Sequence, residues 1–474
     1  LINGSLALPE IVLALCGMGT LLTGVIRRGD NFSLCTMMVL GAYVLAAVLV
    51  VATPFGHAFN GLFVTDAFSA FIKILVLAGA ALALMLSLDY NRAEQIDRFE
   101  FPVLMLFSTV GMLLMASAAN LMSLYMGLEL QSLAIYVLAA FARDTVRSAE
   151  AGLKYFVLGA LASGLLLYGI SLVYGFSGVM DFSRIAQALT SPVGVSPGLV
   201  VGIVFIIAGL AFKVSAVPFH MWTPDVYEGA PAPVTAFMAT APKVAAMALL
   251  LRVMASPFGH MLGQWQLLIE LVSIASMLLG SLAAIGQTNI KRLLAYSSIG
   301  HMGYALIGLA VGNAVGIRGV LIYLVTYVFM SAGSFAVIVA MRRRGRAVER
   351  IADLAGLGRT DPLMAMVLAV MMFSMAGIPP LSGFFGKLYV FLAAVQSGMW
   401  VLAVIGVLTS VIGAYYYLRV IKVMYFDADG EAFDRRPAAL SFVAVASGLF
   451  TALFFVFPAP VVSAAQAAAR VLFG

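Results

Sequence analysis

The chain is a succession of apolar runs, most of them about 20 residues long, which is the length an α-helix needs to cross hydrocarbon. They cover residues 6–26, 32–53, 66–88, 99–117, 119–141, 150–175, 197–229, 231–254, 265–286, 290–312, 314–340, 361–398, 399–424 and 438–460. With 63% hydrophobic and 10% charged side chains, little polar chain is left over for a water-soluble domain. The expected fold is all-α and polytopic, with about fourteen transmembrane helices. The first run is longer than a signal-peptide core and has no basic leader or small-residue cleavage site, so it reads as a span.

Two runs do not fit the rule. The seventh and twelfth are too long for one crossing and too short for two plus a turn. Ser215-Ala216-Val217-Pro218 interrupts the first, and Gly377-Ile378-Pro379-Pro380-Leu381-Ser382-Gly383 the second. Proline removes an amide donor and clashes with the preceding turn, so each reads as a helix broken inside the membrane. Loop charge supports a single broken crossing. The loops after odd-numbered runs hold Arg27, Arg28, Arg92, Arg98, Arg143, Arg147, Lys291, Arg292, the arginines of 342–359, Arg435 and Arg436; the others hold only Arg184 and Arg318. The positive-inside rule then puts the basic loops in the cytoplasm and both termini on the periplasmic side. Counting either long run as a hairpin would scatter the basic loops over both sides.

The broken runs lie five spans apart. Because five is odd, repeats of that length are inverted in the membrane, and transporters of this kind hold ion sites at their broken helices. The expected division is a three-helix segment over 1–98, a five-helix repeat over 99–254, its inverted counterpart over 255–424, and a C-terminal helix over 425–474.

Nearly all arginine lies between the runs, but five of seven lysines lie inside them and away from their ends: Lys73, Lys154, Lys213, Lys243 and Lys387. An ammonium near the bilayer centre costs about 2.5–3.5 kcal/mol on insertion scales, so it has a partner or a task. Lysine can lose its proton when desolvated, whereas arginine effectively cannot. Lys213 sits beside the first break and Lys243 follows Pro242 in mid-span; both are candidate proton carriers. Lys387 lies deep in the second half of its broken run, with no acid nearby on its own segment, and suits release to the outer side. Glu129 is a lone carboxylate mid-span, with Tyr125, Ser132 and Tyr136 on or near its face. It reads as a proton partner or as half of a structural ion pair. Lys154, one turn into its span, either snorkels or links the path to water. Lys73 is expected to snorkel or to pair with Asp66. His301 carries Ser297, Ser298 and Tyr304 on one stripe, which suits a proton relay or a helix–helix hydrogen bond. His220, just past the first break, is either an input group or a satisfier of freed carbonyls.

Cys16 and Cys35 lie in separate runs without metal-ligand spacing. There is no phosphate loop and no dinucleotide fingerprint, so no cofactor is expected on this chain. The net charge of +6 sits in short loops and gives no basic domain for nucleic acid.

Three stretches carry a resemblance. Phe212-Lys213-Val214-Ser215-Ala216-Val217-Pro218-Phe219-His220-Met221-Trp222-Thr223-Pro224-Asp225-Val226-Tyr227-Glu228-Gly229-Ala230-Pro231 resembles the motif of the subunit N family of proton-pumping NADH:quinone oxidoreductase, respiratory complex I. So do residues 287–301, with Lys291-Arg292-Leu293-Leu294-Ala295-Tyr296-Ser297-Ser298, and residues 377–387, ending in Lys387. The second and third are shared in outline with subunits L and M and with multi-subunit cation/proton antiporters, which supply the alternative reading; a third class is an inert spacer. Subunit L would add a long lateral helix, and subunit M usually has glutamate where this chain has Lys387. The resemblance implies proton translocation through Glu129, Lys213, Lys243, His301 and Lys387, with Lys154 a further matching lysine. It implies a multi-pass subunit of the bacterial inner membrane. FMN, iron–sulfur clusters and quinone would belong to partner subunits, and other membrane-arm subunits and the lipid bilayer would surround the chain.

Overall fold

The computed structural model describes residues 3–27, 29–189, 196–428 and 430–473; Arg28, one of the basic-loop residues named above, lies outside them. In hydrocarbon no water is available to the backbone, so each apolar run closes its hydrogen bonds as a helix. The chain opens with α1 (Leu8–Ile26), α2 (Phe32–Ala52), α3 (Ala67–Ala93), α4 (Glu100–Ala116), α5 (Leu121–Ala139) and α6 (Val146–Ser177). It continues through α7 (Phe182–Leu189), α8 (Pro197–Val214), α9 (Trp222–Gly229), α10 (Ala232–Ala239), α11 (Ala241–Ala255), α12 (Leu262–Ile285) and α13 (Ile290–Ala310). The remainder is α14 (Ala314–Ala340), α15 (Leu357–Thr360), α16 (Pro362–Ala376), α17 (Ser382–Gln396), α18 (Trp400–Phe426), α19 (Ala438–Leu453) and α20 (Ala459–Val471). Among the described residues, 11 helical segments are long and apolar enough to cross a membrane, and α4, α16 and α19 are shorter apolar helices.

Both long runs are broken where the sequence placed the interruption. The seventh divides into α8 and α9, and the twelfth into α16 and α17. A third break was not anticipated: the run over 231–254 divides into α10 and α11 at Thr240, whose φ of −112° and ψ of −94° are not helical. Pro242 explains it, because a proline ring two residues inside a new helix cannot continue the old one. α3 and α6 extend past their apolar runs, and α7 and α20 were not expected as separate helices.

Small residues set the tightest helix contacts, as they do wherever helices pack in lipid. A Cβ on Gly111 of α4 would lie 2.5 Å from the Gln131 amide nitrogen of α5. One on Gly280 of α12 would lie 2.5 Å from the Gly300 nitrogen of α13. The segment from α10 through α11 is wholly buried, and α13 and α14 nearly so, whereas α1, α2, α6, α12 and α18 keep broad apolar faces exposed.

The basic loops gather at one end, joined by ion pairs: Arg342–Glu94 at 2.7 Å, Arg343–Asp353 at 3.3 Å, Lys291–Glu349 at 2.6 Å and Arg147–Glu228 at 2.7 Å. The opposite end is held by other contacts, including Asn120–Asp181 at 3.0 Å and Arg318–Gln466 at 3.0 Å.

At that opposite end, Lys73 departs from expectation. It neither snorkels nor pairs with Asp66; it is 2% exposed and lies 2.6 Å from Glu10. Asp66 is already engaged, because both its oxygens receive Arg252 nitrogens at 2.9 Å while it also caps α3 through the Ser69 amide. A planar guanidinium matches a carboxylate in two places at once and so outcompetes an ammonium.

Candidate functional site

The first break is built from the end of α8. A helix leaves its last carbonyls without partners, and a residue in the left-handed region can turn the chain away. Ser215 does so with φ +63°. Lys243, from α11, donates to the freed Val214 carbonyl at 3.1 Å and also bonds the Ser215 hydroxyl. Thr223 donates to the same Ser215 hydroxyl at 2.7 Å, and the Trp222 indole donates to Phe212 O at 3.0 Å. The Lys243 Nζ is 5.5 Å from the Trp222 ring centre, and the residue is 1% exposed.

One residue before the break, Lys213 Nζ donates to Ser132 Oγ at 2.7 Å and to Tyr136 OH at 3.1 Å, both on α5. The Glu129 carboxylate makes no ion pair with it within 4.0 Å; Glu129 is half-buried, and its Oε1 is buried without a hydrogen-bond partner. Lys213 takes the hydroxyls one and two turns on along α5 instead. A direct Glu129–Lys213 contact is therefore not made here.

The second break repeats the arrangement with different residues. α16 ends at Ala376, and Gly377 turns the chain with φ +91°. A Cβ there would stand 3.1 Å from Lys387 Cδ, so glycine makes room for that side chain. Lys387 Nζ donates to Met375 O at 2.9 Å, to Ala376 O at 3.1 Å and to Ser410 Oγ at 2.7 Å. The negative end of a half-helix is a favourable place for a cation, and both Lys243 and Lys387 occupy one.

Between the breaks lies His301 on α13, 2% exposed. Its Nδ1 is 2.5 Å from Tyr323 OH and its Nε2 is 3.0 Å from Tyr417 OH, so both ring nitrogens are engaged. Neutral imidazole donates from one nitrogen and accepts at the other, which is the requirement for passing a proton through the ring. Tyr417 OH is 2.5 Å from Ser297 Oγ, and Tyr327 OH donates to Ser298 Oγ at 2.9 Å. Toward Lys387, the Tyr304 ring centre lies 4.9 Å from the ammonium. Toward Lys243, Tyr227 has its ring centre 5.9 Å from Nζ and its buried hydroxyl unpartnered. The tyrosines from α14 and α18 were missed from the sequence. The four-residue spacing of Tyr323 and Tyr327 inside an apolar run was the available signal.

Lys154 stands apart from this row. It bonds Glu150 at 2.6 Å and Asp225 at 2.8 Å and is 41% exposed in its side chain. Asp225 also receives Arg292 at 2.7 Å, and Arg292 reaches Glu228 at 3.1 Å. This lattice ties α6, α9 and α13 together at the basic end. His220 lies just past the first break with its Nδ1 buried and unpartnered. Among the described residues no three of His, Cys, Asp and Glu converge as metal ligands, and the row offers amines, hydroxyls and one imidazole.

Comparison with known proteins gives the setting for this row. The family described as "NADH:quinone oxidoreductase/Mrp antiporter, TM" matches residues 118–413. NADH-quinone oxidoreductase subunit N of Granulibacter bethesdensis is 67% identical over 476 residues, covering 99% of each chain. The chain belongs to the NADH-quinone oxidoreductase subunit N family. The subunit N of Gluconacetobacter diazotrophicus, 62% identical over 99% of this chain and all of its own, is a second relative. A chain of respiratory complex I from Thermus thermophilus with bound aureothin superposes with a TM-score of 0.84 at 34% identity, over 97% of this chain and 99% of that one. A chain of the Mrp complex from Dietzia superposes at 0.87 with 22% identity, over 100% and 98%; it shares the fold. Membership of the subunit N family makes this chain a membrane subunit of a translocase.

Proposed function

We propose that this subunit moves protons in the membrane arm of NADH-quinone oxidoreductase, with Glu129, Lys213, Lys243, His301 and Lys387 as the carriers. One observation supports this above the others. Lys213, Lys243 and Lys387 are each at most 6% exposed, and among the described residues each bonds only hydroxyls and carbonyls, with no carboxylate within 4.0 Å. Inert packing has no use for an unpaired amine in a low-dielectric interior, and a charge there biases its neighbour by kcal/mol amounts. In this reading Lys213 hands its proton toward Lys243. The Tyr227, Ser298, Tyr327 and His301 group carries it across α13, and Lys387 delivers it past Ser410. FMN, iron–sulfur clusters and quinone belong to partner subunits of the complex. Lys154, held in its ion lattice, sits at the water-facing end of the path.

The same reading places the chain in the bacterial inner membrane, with the basic end in the cytoplasm and both termini on the periplasmic side. It treats residues 99–254 and 255–424 as inverted repeats, after a three-helix segment over 1–98 and before a C-terminal helix over 425–474. Three parallels favour the repeats. The seventh and twelfth runs each turn at a left-handed residue, the freed carbonyl end in each receives a lysine amine, and each unit opens with a glycine-packed pair, α4 with α5 and α12 with α13.

The test is Lys213→Ala in the assembled complex. Protons pumped per two electrons, measured in sealed vesicles, are expected to fall while NADH still reduces quinone. An unchanged ratio removes Lys213 from the mechanism.

A further inference from the structure

A cavity of about 2110 Å³ opens at the basic end and runs inward between α4, α5 and α6. Arg98, Arg147, Glu228, Lys291 and Glu349 line its polar part, which suits water, and Tyr136 belongs to its lining beside Phe107, Val137 and Phe156. Lys213 is not part of that wall, and neither is Ser132. Among the described residues, Tyr136 is thus the one that belongs both to the cavity and to the hydrogen bonds of Lys213.

The two hydroxyls on Lys213 differ in what they can do. Ser132 Oγ donates its proton to Leu128 O at 2.6 Å, back along its own helix, so it can only accept from the amine. The Tyr136 hydroxyl accepts from Lys213, and its own proton is not committed to a helix carbonyl. On α6, Gly159 leaves the space for that phenol. A Cβ added at Gly159 would come within 2.0 Å of the Tyr136 oxygen and 2.6 Å of Cζ, so glycine there sets where the hydroxyl stands.

We propose that Tyr136 is the proton-relay residue through which Lys213 is loaded from the cavity; the inference rests on the proton-carrier reading of Lys213. A hydrated proton in the cavity binds the phenol oxygen as the phenol's own proton passes to the uncharged Lys213 amine. The O–H bond of the hydrated proton and the phenol's original O–H bond break, a new phenol O–H bond and an N–H bond on Lys213 form, and a water molecule is left in the cavity. The phenol ends neutral and its hydroxyl turns back toward the cavity. A phenol suits this shared-proton step because both transfers occur together and neither separate ion has to persist.

The experiment compares Tyr136→Phe, Ser132→Ala and Lys213→Ala in the assembled complex, reading protons per two electrons in sealed vesicles so that partial assembly does not count. Tyr136→Phe keeps the ring and its edge contacts with Tyr155 and Phe156. The relay expects Tyr136→Phe to lower the ratio as far as Lys213→Ala does, and Ser132→Ala to lower it less, although Ser132 is the nearer hydroxyl. Gly159→Ala, which retains the hydroxyl but forces it off Lys213, is expected to match Tyr136→Phe. A normal ratio in Tyr136→Phe, or equal losses in Tyr136→Phe and Ser132→Ala, overturns the relay, since the hydroxyls would then only solvate the amine. A normal ratio in Lys213→Ala instead removes the carrier reading and the relay with it.

Discussion

Two sets of buried lysine in this molecule are equally hidden and differently held. Lys73 and Lys291 are each 2% exposed, and each lies 2.6 Å from a carboxylate, Glu10 and Glu349. Among the described residues, Lys213, Lys243 and Lys387 have only hydroxyls and helix-end carbonyls as hydrogen-bond partners. A carboxylate at contact distance fixes the charge on both partners and makes a structural clamp. A carbonyl or hydroxyl accepts a hydrogen bond from an ammonium and from a neutral amine alike, so the proton is free to leave. Burial alone therefore does not mark a carrier; the kind of neighbour does.

The contrast breaks first at Lys73. Lys73→Ala strands a buried carboxylate, an effect of about 3–5 kcal/mol. The expected result is a large loss of assembled complex on native gels, with a normal ratio of protons to electrons in what does assemble. Replacing both partners, as Lys73→Met with Glu10→Leu, restores assembly, because removing both charges is far less costly than removing one. If Lys73→Ala assembles fully and loses pumping, the division between clamps and carriers is wrong.

Lys243→Arg sharpens the other side. It keeps the positive charge at the α8 carbonyls but cannot release a proton. Pumping is expected to fall to the level of Lys243→Ala, with the amount of complex less reduced than in Lys73→Ala. A variant that pumps normally would show that the position needs charge and not titration.

The smallest effect is expected at the exposed lattice. Asp225→Asn weakens contacts to Lys154 and Arg292 that are partly in water, each worth about 0.2–1 kcal/mol. The thermal midpoint of the complex should shift by a few degrees at most, and less as salt is raised, since salt screens such pairs. A salt-independent loss would place Asp225 among the buried set.

How much of this was readable in advance follows from length scales. Both proline-broken helices were legible, since proline acts within one turn. The break at Thr240 was available from Pro242 but was masked by an unbroken apolar run. Ser297 and Ser298 beside His301 followed from helical spacing, whereas Tyr323 and Tyr417, which hold its ring, come from two other helices. The assignment of Lys73 to Asp66 failed for the same reason: the rival partners, Glu10 and Arg252, sit on α1 and α11, far away in the chain.

The amino-acid order by itself determined that this chain crosses a membrane many times, that two of its helices break at proline and that several lysines lie inside apolar runs, because hydrophobic period and backbone chemistry are local. Only the tertiary structure decided which amines meet a carboxylate and which meet a severed helix end. Partner choice between distant segments depends on packing geometry that no single helix encodes.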